Sequence, residues 1–141
     1  MRIRRETLDA IAVHARDESP RECCGLLIGT DVEAIEAVAA ANVAAEPHRH
    51  YQVSPVDHFA LIKRCRDAAA PGVAAVNVIG AYHSHPRSAP VPSPTDLAEA
   101  FGEFLYIIAG RVDGAARFEF RAYRLLTGRF EDVPLTVAER H

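Results

Sequence analysis

The stretch that decides the reading runs from Val73 to Tyr82 (VAAVNVIGAY), through His83-Ser84-His85-Pro86, to Ser93-Pro94-Thr95-Asp96. Val73 to Tyr82 is rich in Val and Ile and broken only by Asn77, so it predicts a strand. His83 and His85 follow at its end, two residues apart. Side chains on a strand repeat with period two, so both histidines point to one face and can converge on one metal ion. Pro86, Pro90, Pro92 and Pro94 stiffen the loop that follows. Ser93 then reads as an N-cap with Pro94 at the first helical position, which places Asp96 just inside a helix. A carboxylate there can close a His83, His85, Asp96 set on Zn²⁺. Three protein donors leave a fourth position for water, the arrangement of catalytic rather than structural zinc. Zinc brings the pKa of such a water near neutrality, and a partner must still take and deliver the proton. Glu22, just ahead of the apolar run Cys24 to Ile28, is the candidate if the fold brings it alongside.

Outward from this stretch, the pattern mixes helices and strands. Leu8, Ile11, Ala12 and Ala15 share a helical face, with Thr7 as N-cap and Ser19-Pro20 as the stop. Cys24 to Ile28 reads as a buried strand, Val32 to Val43 as a second and Arg49 to Val53 as a short third. Ser54-Pro55 opens a helix whose inner face is expected at Phe59, Ile62 and Cys65, and Pro71-Gly72 ends it. Phe104 to Ala109, Arg117 to Leu126 and Arg129 to Val133 read as strands, the last two joined at a Thr127-Gly128 turn. This order predicts one domain over residues 1–141: an α-β-α sandwich around a mixed sheet, not a doubly wound fold. No G-x-G-x-x-G, Walker A loop or H-E-x-x-H is present.

Composition narrows the classes further. The chain has 141 residues, 49% hydrophobic and 25% charged, as in an ordinary globular domain and unlike a disordered one. A net charge of -3 gives no basic field for nucleic acid. The longest apolar run is far short of the ~20 residues of a membrane span. Met1 to Glu6 carries charge with no apolar stretch behind it, so no secretory signal is expected there. Three cysteines, two of them the adjacent Cys23 and Cys24, form no disulfide framework and point to a reduced, cytoplasmic setting.

Each feature also has a plainer reading. Ser93-x-x-Asp96 serves equally as a helix cap with an acidic residue in the first turn. Glu22 can be a solvated residue at a helix-to-strand junction. Cys23 is either a small buried apolar residue or a thiol near enough to a metal to modulate it. His48-Arg49-His50 repeats the H-x-H pattern, but no carboxylate follows at comparable spacing, and these are read as surface histidines.

Taken together, Glu22 … His83-x-His85-x7-Ser93-x-x-Asp96 resembles the JAMM (MPN-plus) metalloprotease motif, complete and at that family's spacing. The flanks agree: Pro20 to Gly29 resembles the family's first strand region, and Asn42 with Tyr51 to Pro55 resembles its middle segment. The resemblance implies a cytidine-deaminase-like α-β-α sandwich. It implies zinc on His83, His85 and Asp96, with Glu22 as general base and then acid to the leaving amine. Ser93 would donate to the oxyanion, a role worth about 2.7–4 kcal/mol in comparable sites. Ser84 is left a backbone role or that of a spacer pointing away from the metal. Ala81 stands where many relatives carry a larger residue, which would widen the site locally.

Family members hydrolyse peptide or isopeptide bonds beside the C-terminal tail of ubiquitin-like proteins. The compact form, with eight residues between Asp96 and Leu105, leaves no room for the insertions of deubiquitinating members. It looks like the bacterial branch that processes β-grasp sulfur-carrier proteins ending in Gly-Gly, releasing a C-terminal cysteine or short extension in cysteine biosynthesis. The alternative is a non-catalytic module that holds a ubiquitin-like tail. A deaminase, suggested by the fold likeness, is the poorer reading, because the H-x-E … P-C-x-x-C signature is missing.

Overall fold

The computed structural model describes residues 1–100, 104–112 and 115–139. In chain order the elements are β1 (Arg2–Arg4), α1 (Arg5–Glu18), β2 (Cys24–Gly29), β3 (Glu33–Ala40), α2 (Pro55–Ala68), β4 (Asn77–His85), α3 (Pro94–Glu99), β5 (Leu105–Gly110), β6 (Glu119–Leu126), β7 (Arg129–Val133) and β8 (Thr136–Ala138). The strands form one mixed sheet in the order β7-β6-β5-β4-β2-β3-β1-β8. β2 runs antiparallel to both neighbours, β3 and β4, while β4 and β5 are parallel. β6 and β7 close that end as an antiparallel hairpin. Its turn residues, Thr127 (φ 50°) and Gly128 (φ 76°), are both left-handed, as the twist of a two-residue hairpin demands.

The expected sandwich is present. Leu8, Ile11 and Ala15 of α1 pack with Leu27, Tyr82 and Ile107 on one face of the sheet. Leu61 and Cys65 of α2 pack with Leu26, Ala81 and Tyr106 on the other. Successive residues of β2, β4 and β5 thus divide between two cores, as the alternation of strand side chains requires. β2 and β5 are buried along their whole length, which is why they read as unbroken apolar runs.

Some local expectations need correction. Thr7 does not cap α1. The helix begins at Arg5, directly off β1, so Thr7 lies inside it and its hydroxyl donates to the Ile35 carbonyl at 2.7 Å, tying α1 to β3. Arg49 to Val53 forms no strand; only an isolated bridge joins Val53 to Asn42. There the Asn42 side chain takes the backbone groups that a ladder would have used. α2 buries Leu61 and Cys65, an i,i+4 pair, whereas Phe59 is 72% exposed and Ile62 42% exposed. β4 starts at Asn77, later than Val73, and runs through both histidines. The three-residue β1 and β8 were too short for a periodicity to announce them.

Candidate metal centre

The site grows from the end of β4. Ala81, His83 and His85 face the α2 side; Tyr82 and Ser84 face the α1 side. β4 lies between β2 and β5, with His83 opposite Cys24 on one side and Ile108 on the other. Tyr51 stacks flat on the His83 ring, 4.1 Å between centroids and 14° between planes. The loop after His85 is fixed at several points. Tyr123 donates its hydroxyl to the Pro90 carbonyl at 2.8 Å, and Arg111 Nε donates to the Pro86 carbonyl at 3.2 Å. Gly110 lets the loop approach, since a Cβ there would fall 2.5 Å from Pro90 N. The Ala89 carbonyl so placed lies 3.0 Å from His85 Nδ1. That contact favours a proton on Nδ1 and turns the Nε2 lone pair into the site.

Asp96 is aimed by a reciprocal cap at the start of α3. Ser93 Oγ accepts from Asp96 N–H at 3.0 Å, and Ser93 N–H donates to Asp96 Oδ2 at 2.9 Å. The helix-cap reading of Ser93 and Asp96 therefore holds together with the site reading. Capping is what orients the carboxylate.

Three acceptor atoms meet at the centre. His83 Nε2 and His85 Nε2 are 3.1 Å apart, and Asp96 Oδ2 lies 3.2 Å and 3.0 Å from them. Glu22 joins them: one donor atom from each of Glu22, His83, His85 and Asp96 lies within 4.8 Å of all the others. All four residues are buried. Lone pairs this close repel unless a cation or proton lies among them. A tetrahedral Zn²⁺ with bonds of about 2.0–2.1 Å has ligand-to-ligand edges of roughly 3.3–3.4 Å, close to the spacing of the trio. The nitrogen and oxygen donors fit such an ion.

Electrostatics follow from burial. Burial lowers the pKa of His83, against the pull of Asp96, so the ring favours the neutral form that can donate a lone pair. At His85 burial also disfavours the cation, but the Asp96 carboxylate and the Ala89 carbonyl outweigh it and raise the pKa. Burial opposes ionisation of Asp96 too, yet the two imidazoles and the Ser93 N–H hold it well below the usual carboxylate range. Burial pushes the Glu22 carboxyl up to about 7, with His85 opposing and Asp96 adding. One Glu22 oxygen, Oε1, is buried without a hydrogen-bond partner, as is His83 Nδ1.

Glu22 is placed by its backbone. Its N–H donates to the Pro47 carbonyl at 2.8 Å, and its carbonyl accepts from Asn42 Nδ2 at 2.9 Å. The next residue is locked to β4: Cys23 N–H donates to Ser84 Oγ at 2.8 Å, and Ser84 N–H donates to the Cys23 carbonyl at 3.1 Å. Ser84 thus points away from the donor group and holds the segment, just ahead of β2, that carries Glu22. Cys23 packs in the core beside α1, on the face away from the histidines, so it does not join the donor group. Cys24 is the cysteine on the metal side, and its thiol turns to the Ala41 carbonyl at 3.6 Å. Burial pushes the two thiols up to about 11 and about 12.

His48 and His50 lie outside the donor group; His48 is exposed as expected, whereas His50 is half-buried. Sequence reasoning gave no role to Asn42 or Tyr51. Asn42 is a hub: its Nδ2 donates to the Glu22 and His50 carbonyls, and its Oδ1 accepts from Ala44 N–H and Gln52 N–H at 3.0 Å each. The signal for it was its place, with Tyr51 to Pro55, in the segment that resembles the family's middle region, and an amide there can pair backbone groups that lack partners.

Fold and donor set define a class: a mixed α/β domain with a buried group that could hold a metal ion, two histidines and an aspartate with a second carboxylate beside them. Residues 4–126 match the family Prok-JAB, prokaryotic homologs of the JAB domain. The chain belongs to that family. It is 37% identical over 108 residues to the desampylase of Haloferax volcanii, covering 71% of this chain and 73% of that one. It is 27% identical over 140 residues to the CysO-cysteine peptidase of Mycobacterium tuberculosis, covering 99% and 92%. A solved structure described as JAMM, a metalloprotease-like zinc site in the proteasome and signalosome, superposes with a TM-score of 0.58 at 23% identity, covering 99% of this chain and 98% of that one. The relatives named are peptidases, and the zinc-site structure shares the fold.

Proposed function

We propose that this chain is a zinc-dependent peptidase. Its substrate is the amide bond at the C-terminal Gly-Gly tail of a ubiquitin-like or β-grasp sulfur-carrier protein, from which it releases a cysteine or short extension. The observation that carries the reading is the convergence of His83, His85 and Asp96 with Glu22 on one buried point. We assign the site to one domain over 1–141, of which 101–103, 113–114 and 140–141 lie outside the described residues. Cytoplasmic placement is supported by three buried, unpaired cysteines, and no described helix is long and apolar enough to cross a membrane.

His83, His85 and Asp96 would hold the metal. When bound there, Zn²⁺ supplies a Lewis acid that polarises a carbonyl and makes water acidic near neutral pH. Glu22 takes a proton from the attacking water, whose oxygen adds to the glycyl carbonyl carbon. A carboxylate at that position can accept a proton and return it within one turnover. As the C–N bond breaks, Glu22 delivers its proton to the leaving amine. Ser93 Oγ accepts from Asp96 N–H and keeps its own proton, which we assign to the developing oxyanion. On the same face as the donors, Tyr51, Val53, Phe59, Ala81 and Tyr106 line a hollow of about 300 Å³. We assign it to the tail; the small Ala81 keeps it open.

The test is mass spectrometry of a β-grasp carrier ending in Gly-Gly-Cys, incubated with the zinc-loaded protein, its Asp96→Ala variant and its Glu22→Gln variant. Loss of one cysteine mass with the wild type alone is expected. Tail binding without cleavage by the wild type would instead establish the non-catalytic module. Full turnover by Glu22→Gln would remove the proton role given to Glu22.

A further inference from the structure

A second hollow, of about 420 Å³, opens beside the donor group and is bordered by Glu22, His48, Arg49, Pro86 and Arg87. That volume is within the range of small-molecule pockets, about 300–1,000 Å³. Its rim has an unusual charge for a chain of net charge -3. Arg49 and Arg87 are both exposed, and neither pairs with a carboxylate among the described residues. The two come from separate loops, one ahead of α2 and one between β4 and α3, and the fold brings them to one cavity. The other hollow that Glu22 borders differs: its arginine, Arg21, is already bound to Glu18 at 3.0 Å, and none of its residues comes from the loop after His85.

The chemistry of the proposed reaction assigns a side to this pocket. Glu22 returns its proton to the leaving amine, so the leaving group must lie on the Glu22 side of the scissile bond. The tail hollow, lined by Ala81 and Tyr106, does not include Glu22. We infer that the pocket between Arg49 and Arg87 binds the free α-carboxylate of the residue released, so that this chain selects a one-residue C-terminal extension over an isopeptide to a lysine side chain. A guanidinium matches a carboxylate in plane and can bind it through two parallel N–H groups. The inference rests on the peptidase reading, with the same bonds made and broken. It adds only where the product's carboxylate goes.

The probes are two peptides ending in Gly-Gly-Cys, one with a free C-terminal acid and one with a carboxamide. Each is measured with wild type and with the Arg49→Ala/Arg87→Ala variant, for cleavage (kcat and KM) and for binding by calorimetry to the Glu22→Gln protein with and without the arginine changes. A charge-assisted bond supports a preference of roughly ten-fold or more for the acid with intact arginines. The double variant is expected to lose that preference, mainly through a raised KM for the acid. Equal handling of acid and amide by the wild type overturns the inference. So does an equal loss on both peptides in the variant, which would make the arginines a docking patch for the body of the substrate. If neither peptide is cut, the peptidase reading fails on these substrates, and binding alone decides the pocket: tighter acid binding that needs the arginines sustains it, and equal binding ends it.

Discussion

Replacing Asn42 by aspartate keeps the shape of the side chain and reverses half of its chemistry. Oδ1 continues to accept from Ala44 and Gln52, but the Nδ2 that donates to the Glu22 and His50 carbonyls becomes an oxygen facing two oxygens. An unsatisfied buried group costs about 1–3 kcal/mol, and Asn42 is half-buried, so two such carbonyls give a loss of roughly 2–4 kcal/mol at pH 7.5. For a domain of this length that is a fall in Tm of roughly 6–16 °C. A protonated carboxyl still donates one hydrogen bond where the amide gave two, so ionisation carries about half of the penalty, and the introduced carboxyl has a native pKa raised above its unfolded value of about 3.9. At about 1.36 kcal/mol per pKa unit, the rise is roughly 0.7–1.5 units. About half of the deficit therefore persists below about pH 4, and the rest grows as pH climbs from the unfolded to the raised native pKa and is constant above about pH 7. Urea denaturation of variant and wild type side by side at pH 5 and pH 7.5 measures it, with the site's own titrations cancelling in the difference. Because the Glu22 carbonyl is one of the two affected, kcat should also fall about 10–100-fold while zinc stoichiometry stays at one. An Asn42→Asp protein that tracks wild-type stability at both pH values would refute the claim that this amide holds Glu22 in place.

Other expectations can be checked with the same preparations. Adding zinc at 100 times its Kd should stabilise the protein by about 2.7 kcal/mol, a Tm rise of roughly 8–11 °C that a chelator reverses and Asp96→Ala abolishes. Ser84→Ala strands the buried Cys23 N–H, and denaturant melts should show a loss of about 1–3 kcal/mol with the metal still bound. Ala81→Leu fills the tail hollow, so KM for the carrier should rise with zinc affinity unchanged; an unaltered KM would place the tail elsewhere. Gly110→Ala drives a methyl against Pro90, and the displaced loop should weaken zinc binding through His85, as read by competition with a chromogenic chelator.

The donor group was legible because its signals are local. Period-two spacing set His83 and His85 on one face, and a serine cap set Asp96 at a helix start. The central strands were legible for a related reason: burial on both faces leaves an unbroken apolar run. What stayed hidden depends on distant partners. Arg49 to Val53 alternates like a strand, but its His50 carbonyl and Gln52 N–H are taken by the Asn42 side chain. Thr7 has the chemistry of a cap, but a three-residue strand fused to the helix moves the start upstream. On α2, apolar residues stand on more than one flank, and only the packed sheet determines that Leu61 rather than Phe59 turns inward. Arg49 and Arg87 are 38 positions apart, with nothing in either segment to pair them.

His83, His85 and Asp96 fall within 14 consecutive residues, whereas Glu22 reaches them only through the antiparallel register that sets Cys24 against His83. In the proposed mechanism, metal capture and proton transfer are therefore inherited from different levels of assembly. The first needs a strand end, a loop and one helical turn; the second needs two strands aligned to the residue. A one-position slip of β2 against β4 would turn every β2 side chain to the opposite face and carry Glu22 off its mark, yet leave the metal donors together. Such a molecule would be fully loaded with metal and inert, so metal content and competence must be counted separately in any preparation of this protein.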